Sequence, residues 1–478
     1  MTGTKEIVKL PAVVIWIYFV LISIILAIVA ICDNVTGDEG DSISHYMFSR
    51  YSWENPEYFI HHWSKPVFTL LSSPFSQFGF VGIRCFNLMM ALGTAYCVWK
   101  IAVKLHKPIS SFAILILFSI SFYTLKMFSG YTEYLYAFLL VYTILLCLNE
   151  NYVLASIIVS FFPFCRSEGI IALAIFAVYL VWVRHWKYLP LLILGHVIYE
   201  VIGVVLFDQL IGWTWIKIPY LGPNSGYGSG RLFDMADELI YRTGIPIILL
   251  VLMGIIYRLV GYLSTFKSLK NKAKVDILLI YGNVVAFFIA HTIFWTFGLF
   301  NSLGLGRVYI AIMPLIALMT LDGFGFVRGN LFSVTVQKMI VILILATVVY
   351  APFDKDKIGF RYVKGINNIP QNDLIKDEVH PYLMDKFPGR KVYYNVAYLA
   401  ILRKENYYAQ GTQGTWFRKP DLENMESGTL FLWDSKFAKG DAKIFKEDLE
   451  TDVRFRKHNC FVSDTWNGYY TYCVFERI

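Results

Sequence analysis

Charge is what this chain has least of: 16% of its 478 residues are Asp, Glu, Lys or Arg, against 56% hydrophobic and 17% aromatic. A soluble protein of this size could not bury that much apolar surface in one core, so a water-soluble globular architecture is excluded. A cleavage motif is missing too. The first apolar run, residues 10–31, follows Lys5 and Lys9 but is not followed by small residues, so it reads as a signal anchor that stays attached. Histidine is sparse, and the adjacent pair His61 and His62 cannot share one helix face. No group of side chains has the spacing of metal ligands, so neither a metal nor a cofactor is expected. No repeat relates two halves of the chain, which argues against a secondary transporter, the strongest rival from another class. The glycines of "NSGYGSGRLFDMADELIYRTG" follow no strand and are therefore no nucleotide fingerprint.

What is present is a series of apolar runs, at residues 10–31, 81–102, 109–128, 134–148, 152–165, 169–183, 188–207, 245–263, 275–300, 308–321 and 331–350. At about 20 apolar residues per crossing, they predict a polytopic α-helical membrane protein with about eleven spans. The runs starting at Tyr134, Tyr152 and Gly169 are short, so the pair within 152–183 need not cross fully. Short cytoplasmic loops are enriched in Lys and Arg. Lys5 and Lys9, Lys100 to Lys107, Arg184 and Lys187, Lys267 to Lys274, and Arg328 and Lys338 fall on one side if the runs alternate. That places the N-terminus in the cytoplasm. The loop 32–80, Glu133, Arg166 to Glu168, the loop 208–243, residues 301–307 and everything after Tyr350 then lie on the exoplasmic side. The formal charge of +8 is a topology signal and implies no nucleic-acid partner.

After Tyr350 the composition turns to mixed charge, and "KVYYNV" and "GTLFLW" read as strands. Two units follow from this: a transmembrane domain over 1–350, with loop 32–80 as its catalytic segment, and a soluble α/β domain over 351–478. In "CFVSDTWNGYYTYCVF", the Asn467-Gly468 pair predicts a hairpin. A turn centred there sets Cys460 and Cys473 on one face but out of direct opposition, so a disulfide between them is open in an oxidising compartment and needs a bulge or fraying to form.

The chemistry centres on "ICDNVTGDEGDSISHY", where Asp33, Asp38, Glu39 and Asp41 stand at the rim of the first span. Glycines flank Asp38-Glu39, and such a pair can take a proton from a hydroxyl or bind a cation; the plain alternative is a solvated loop. Asp33 and Asp41 read as solvated neighbours. Lys65 is either a lipid-headgroup anchor or a ligand. Arg166 and Glu168 are close enough to pair with each other. His196 and Glu200, one turn apart at membrane depth, either face the same cavity or are hydrogen-bonded within the fold.

The order of "GDEGDSISHY", "W-S-K-P", "GIRCFNLMMALG", "TEYLYAFLLVYTILL", "FPFCRSEGIIALAIFA" and "GLGRVYIAIMPLIAL" resembles the GT-C glycosyltransferases, over about residues 10–321. Within that fold it is most similar to the family that includes protein O-mannosyltransferases and the lipid A aminoarabinose transferase. The resemblance implies a GT-C fold in a bacterial inner membrane, and a polyprenyl-phosphate-linked sugar as donor. It also implies transfer to the hydroxyl of an acceptor glycan, lipid or protein. By the same resemblance Asp38 matches the catalytic aspartate and Glu39 its acidic neighbour. Lys65 and Arg307 match positions that contact the donor phosphate, and Glu133 the acidic position opening the fourth span. Here Lys65-Pro66 is followed by Val67, where the family often has a second proline. His62, Arg231 and Glu200 are further candidates for contact with substrate. A ligase or polymerase acting on lipid-linked oligosaccharide, or a receptor-like scaffold, are the remaining readings.

Overall fold

A computed structural model describes residues 8–216, 228–263, 269–328, 333–353, 369–410, 417–465 and 468–478. The middle of the long loop, including Gly226, and the turn residue Asn467 lie outside these.

Among the described residues every apolar run is mainly helix, but in two length classes. Among the described residues six helices are long and apolar enough to cross a membrane: Ala12–Cys32, Phe80–Lys104, Trp186–Phe207, Ile245–Leu263, Asn271–Thr296 and Val334–Phe353. Shorter apolar helices accompany them: Ser110–Ser119, Glu133–Leu148, Gly169–Trp182 and Met313–Val327. The run 152–165 breaks at Phe161 into Tyr152–Ser160 and Phe162–Cys165, where Pro163 starts a new turn. Burial follows position. Ala12–Cys32 and Val334–Phe353 are only 17% buried and present mostly apolar side chains outward, whereas Phe80–Lys104 is 61% buried at the bundle centre. Outward apolar rows suit lipid, and polar groups such as Asn87 and Arg84 are confined to the inside.

The loops segregate to two ends. At one end the segment after Cys32, the turn Lys126 to Glu133, Arg166 to Glu168 and the helix Gly306–Ala311 meet one another, and the first of these also meets the tail. At the other, Lys107, Arg258, Tyr262, Asp276 and Asp322 converge.

In the tail, β1 (Val392–Tyr394) and β2 (Leu430–Asp434) arise from the two expected strand segments, joined by β3 (Phe455–Thr465) and β4 (Gly468–Arg477). Sheet order is β1-β2-β4-β3, with β1 and β2 parallel and the other pairs antiparallel. The hairpin closes on Thr465 opposite Gly468, one residue earlier than a turn centred on Asn467-Gly468. Cys460 is therefore directly opposite Cys473 and bonded to it. The bulge in β3 lies between Lys457 and Asn459 and is not what aligns them.

A candidate active site of clustered carboxylates and guanidinium groups

The segment that carries Asp38 is fastened to the turn Lys126 to Tyr131. Gly37 sits at φ +83°, and a Cβ there would lie 2.4 Å from that of Ser129, so only glycine fits. Lys126 Nζ donates to the Gly37 carbonyl at 2.8 Å, and the Gly130 N–H donates to Ser42 Oγ at 2.7 Å. Asp33 stays outside the cluster, its carboxylate accepting the N–H groups of Asn34 and Val35.

Asp38 is saturated by donors. Its Oδ1 accepts the N–H groups of Gly40 (3.1 Å) and Ser42 (2.9 Å). Its Oδ2 accepts the Tyr131 hydroxyl and Arg307 Nη1, both at 2.9 Å. Arg307 is the hub. Nη2 binds the Asp41 carboxylate, Nε stands 3.8 Å from Glu133 Oε1, and the guanidinium carbon lies 5.2 Å from the centre of the Tyr131 ring. Asp41 is therefore no solvated neighbour. Burial works against its charge, but Arg307 above all, with His45 and Arg166, outweighs that and holds the carboxyl at about 2. His45 is pushed down to about 3 by burial in spite of Asp41, which keeps it neutral.

Arg166 extends the array, with Nη1 2.7 Å from Glu133 and 3.0 Å from Thr132 Oγ1, and Nη2 2.7 Å from Glu168. The expected Arg166–Glu168 pair is present, but within a larger network. Burial opposes the Glu168 charge, yet Arg166 in contact and His291, whose Nε2 is 3.8 Å away, hold it well below the usual carboxylate range. Lys65 enters from the third side. It caps the helix Pro66–Ser76 in left-handed backbone at φ 59°, and its ammonium donates to Ser167 Oγ at 3.0 Å. A non-glycine residue held there costs about 1 kcal/mol or more, which the packing of this segment must offset. The Nε atoms of Arg166 and Arg307 are buried and have no hydrogen-bond partner. Two guanidinium groups with unused donors, beside a lysine, favour an oxyanion with several acceptor oxygens.

The other candidates lie elsewhere. Glu39 turns from Asp38 toward the tail, where Lys436 Nζ meets it at 3.1 Å. His62 packs 5.1 Å from the Trp213 ring, and burial brings it down to about 4. Glu200 accepts the Gly212 N–H and, at 2.8 Å, the Thr214 hydroxyl, so it ties down the chain that follows its helix; His196 stacks on Trp215 at 4.4 Å. Arg231 is exposed and paired with Asp234 at 2.9 Å. Reading the sequence missed Tyr131, His291 and His45. A tyrosine two residues before Glu133 was the available signal for the first; the histidines gave none.

No family model and no curated protein matches the chain. Solved structures do. The chain superposes on ArnT from Cupriavidus metallidurans bound to undecaprenyl phosphate with a TM-score of 0.60 at 11% identity, covering 96% of this chain and 97% of that one. The fold is GT-C. Apo ArnT gives a TM-score of 0.58, also at 11% identity, covering 97% of this chain and 98% of that one. Near-complete coverage of both chains includes the helical bundle and the small terminal sheet, so the expected GT-C architecture with a C-terminal α/β unit is the one this protein has.

Proposed function

We propose that this protein is a membrane glycosyltransferase that moves a sugar from a polyprenyl-phosphate-linked donor to an acceptor hydroxyl on the exoplasmic face, with inversion. The carrying observation is the Arg307 hub, one guanidinium bridging Asp38 and Asp41 beside Arg166 and Lys65, with two buried Nε donors unused. Its likeness in fold to a protein crystallised with undecaprenyl phosphate supports a donor of that class. The donor phosphate would draw Arg307 from the carboxylates, and Arg307, Arg166 and Lys65 would stabilise the charge that develops on it as the glycosidic bond breaks. That shift frees Asp38 Oδ2 to take the acceptor proton while the two N–H groups on Oδ1 keep the carboxylate in place. Attack from the face opposite the leaving phosphate is a single in-line displacement, hence inversion. The tail and the Asp38 loop would face the exoplasm and the N-terminus the cytoplasm of a bacterial inner membrane, as the distribution of Lys and Arg supports.

The test is mass spectrometry of glycans and glycolipids from cells with the parental protein, without it, and with Asp38→Asn. A sugar lost on deletion identifies donor and acceptor together. Asp38→Asn keeps the shape but cannot accept the proton, so the product should fall about a hundredfold or more. Product at the parental level in the Asp38→Asn cells removes Asp38 from the mechanism.

A further inference from the structure

The loop that carries Asp38 is held from above by the tail, and the contact is specific in chemistry. Asp434, at the end of β2 and fully buried, accepts the N–H groups of Lys436 (3.0 Å), Phe437 (2.6 Å) and Ala438 (3.1 Å). The Ser435 N–H donates to the Thr471 carbonyl at 3.0 Å. These bonds fold residues 434–438 into a rigid turn whose tip projects two side chains onto the Asp38 loop. Lys436 Nζ meets Glu39 Oε2 at 3.1 Å, and the Phe437 ring covers Gly40, 3.8 Å from where a Cβ would stand. Gly40 is one of the two residues whose N–H holds Asp38 Oδ1. Two further contacts flank the tip: Asn372 Nδ2 donates to Thr36 Oγ1 at 3.2 Å, and Tyr408 stacks on Phe48 at 4.0 Å.

We infer that Lys436, presented by the Asp434 turn, is a positioning residue for Asp38 that acts through Glu39, so that the tail is part of the catalytic unit and no separate recognition module. Glu39 is 12% exposed while Lys436 is 50% exposed, so the bridge buries the carboxylate under the ammonium at the rim of the cluster. This role rests on the assignment of Asp38 as base. It also explains why the second carboxylate of the Asp38-Glu39 pair points away from the guanidinium groups: its partner is in the tail.

The experiment uses the full-length protein in nanodiscs, with hydrogen exchange followed by mass spectrometry over residues 36–44. The variants are Lys436→Met, Glu39→Gln, the double variant and Lys436→Arg. Breaking a half-exposed bridge should speed exchange of this segment by up to about fivefold, equally in the two single variants and no further in the double. Lys436→Arg should exchange as the parental protein does. Asp434→Asn, which cannot accept all these N–H groups as a carboxylate does, should loosen both 434–438 and 36–44. Product measured in cells should fall with Lys436→Met and return with Lys436→Arg, a rescue that a general loss of folded protein does not give. Unchanged exchange at 36–44 in Lys436→Met, or additive effects in the double variant, would overturn the inference. If Asp38→Asn cells keep parental product while the exchange results hold, it is the assignment of Asp38 as base that fails.

Discussion

At the scale of single residues, the site depends on which carboxylates share one guanidinium. Arg307 offers a planar fork to Asp38 and Asp41 at once, a geometry lysine cannot reproduce. Arg307→Lys should therefore lower product nearly as far as Arg307→Ala, measured in the same cells. Asp41→Asn should also lower it, by about tenfold, because the loss of one charge from the fork leaves Arg307 misplaced for the proposed donor phosphate. An effect of Asp41→Asn no larger than that of Asp33→Asn would return Asp41 to the status of a bystander. The Asp41 carboxyl is held at about 2, below its ordinary 3.8, so it favours the folded state. That contribution is complete above about pH 4 and is lost as pH falls toward 2.

At the scale of elements, the turn after β2 has the opposite sign. Burial raises Asp434 from 3.8 to about 6 even though three N–H groups oppose the shift. Asp434 binds a proton more readily in the native tail than in the unfolded chain, so its contribution to stability declines as pH rises from about 4 to about 6 and is flat above. The difference of about two pH units corresponds to about 3 kcal/mol. Thermal unfolding followed between pH 4.5 and pH 8 should show about two thirds of this decline, and Asp434→Asn should remove it. A decline of equal size in the variant assigns the pH dependence to another group.

At the scale of the whole molecule, the end of the bundle opposite the candidate site is closed by buried charge. Lys107 pairs with Asp276 at 2.8 Å and with Asp322, Arg258 pairs with Asp322 at 2.6 Å, and Tyr262 and Tyr281 donate to the same two carboxylates. Lys107 and Asp322 are fully buried. Two cations against two anions balance, so removing one leaves an uncompensated charge inside the bundle. Asp322→Asn should destabilise the protein by about 3 kcal/mol or more, seen as a lower unfolding temperature in detergent. Lys107→Met added to Asp322→Asn removes one charge of each sign and should recover part of the loss. Orientation is tested separately: a cysteine at the exposed Val453 should react with an impermeant thiol reagent applied outside the cell, and one at Lys187 should not. The reverse result would place the Arg307 hub on the cytoplasmic side.

The sequence by itself determined everything that depends on local composition: the apolar runs, the separate charged tail, the strands β1 and β2, and the segment around Asp38 as the place where carboxylates gather. These follow from hydropathy, strand alternation and glycine spacing, which act within a few residues. Tertiary structure alone decided which groups meet. Arg307 lies 269 positions from Asp38 and 266 from Asp41, and Lys107 lies 215 from Asp322; no pattern along the chain couples charges so far apart. It also decided between alternatives that the local signals left equal. Asp33 and Asp41 are the same side chain eight residues apart, and only the fold turns one to its own backbone and the other to Arg307. Glu39 and Asp38 are adjacent, yet their partners, Lys436 and Arg307, lie far apart in the chain and only packing brings them together. The hairpin register was open in the same way: a turn moved by one residue sets Cys460 opposite Cys473, and pairing across the whole β3–β4 ladder fixes that choice.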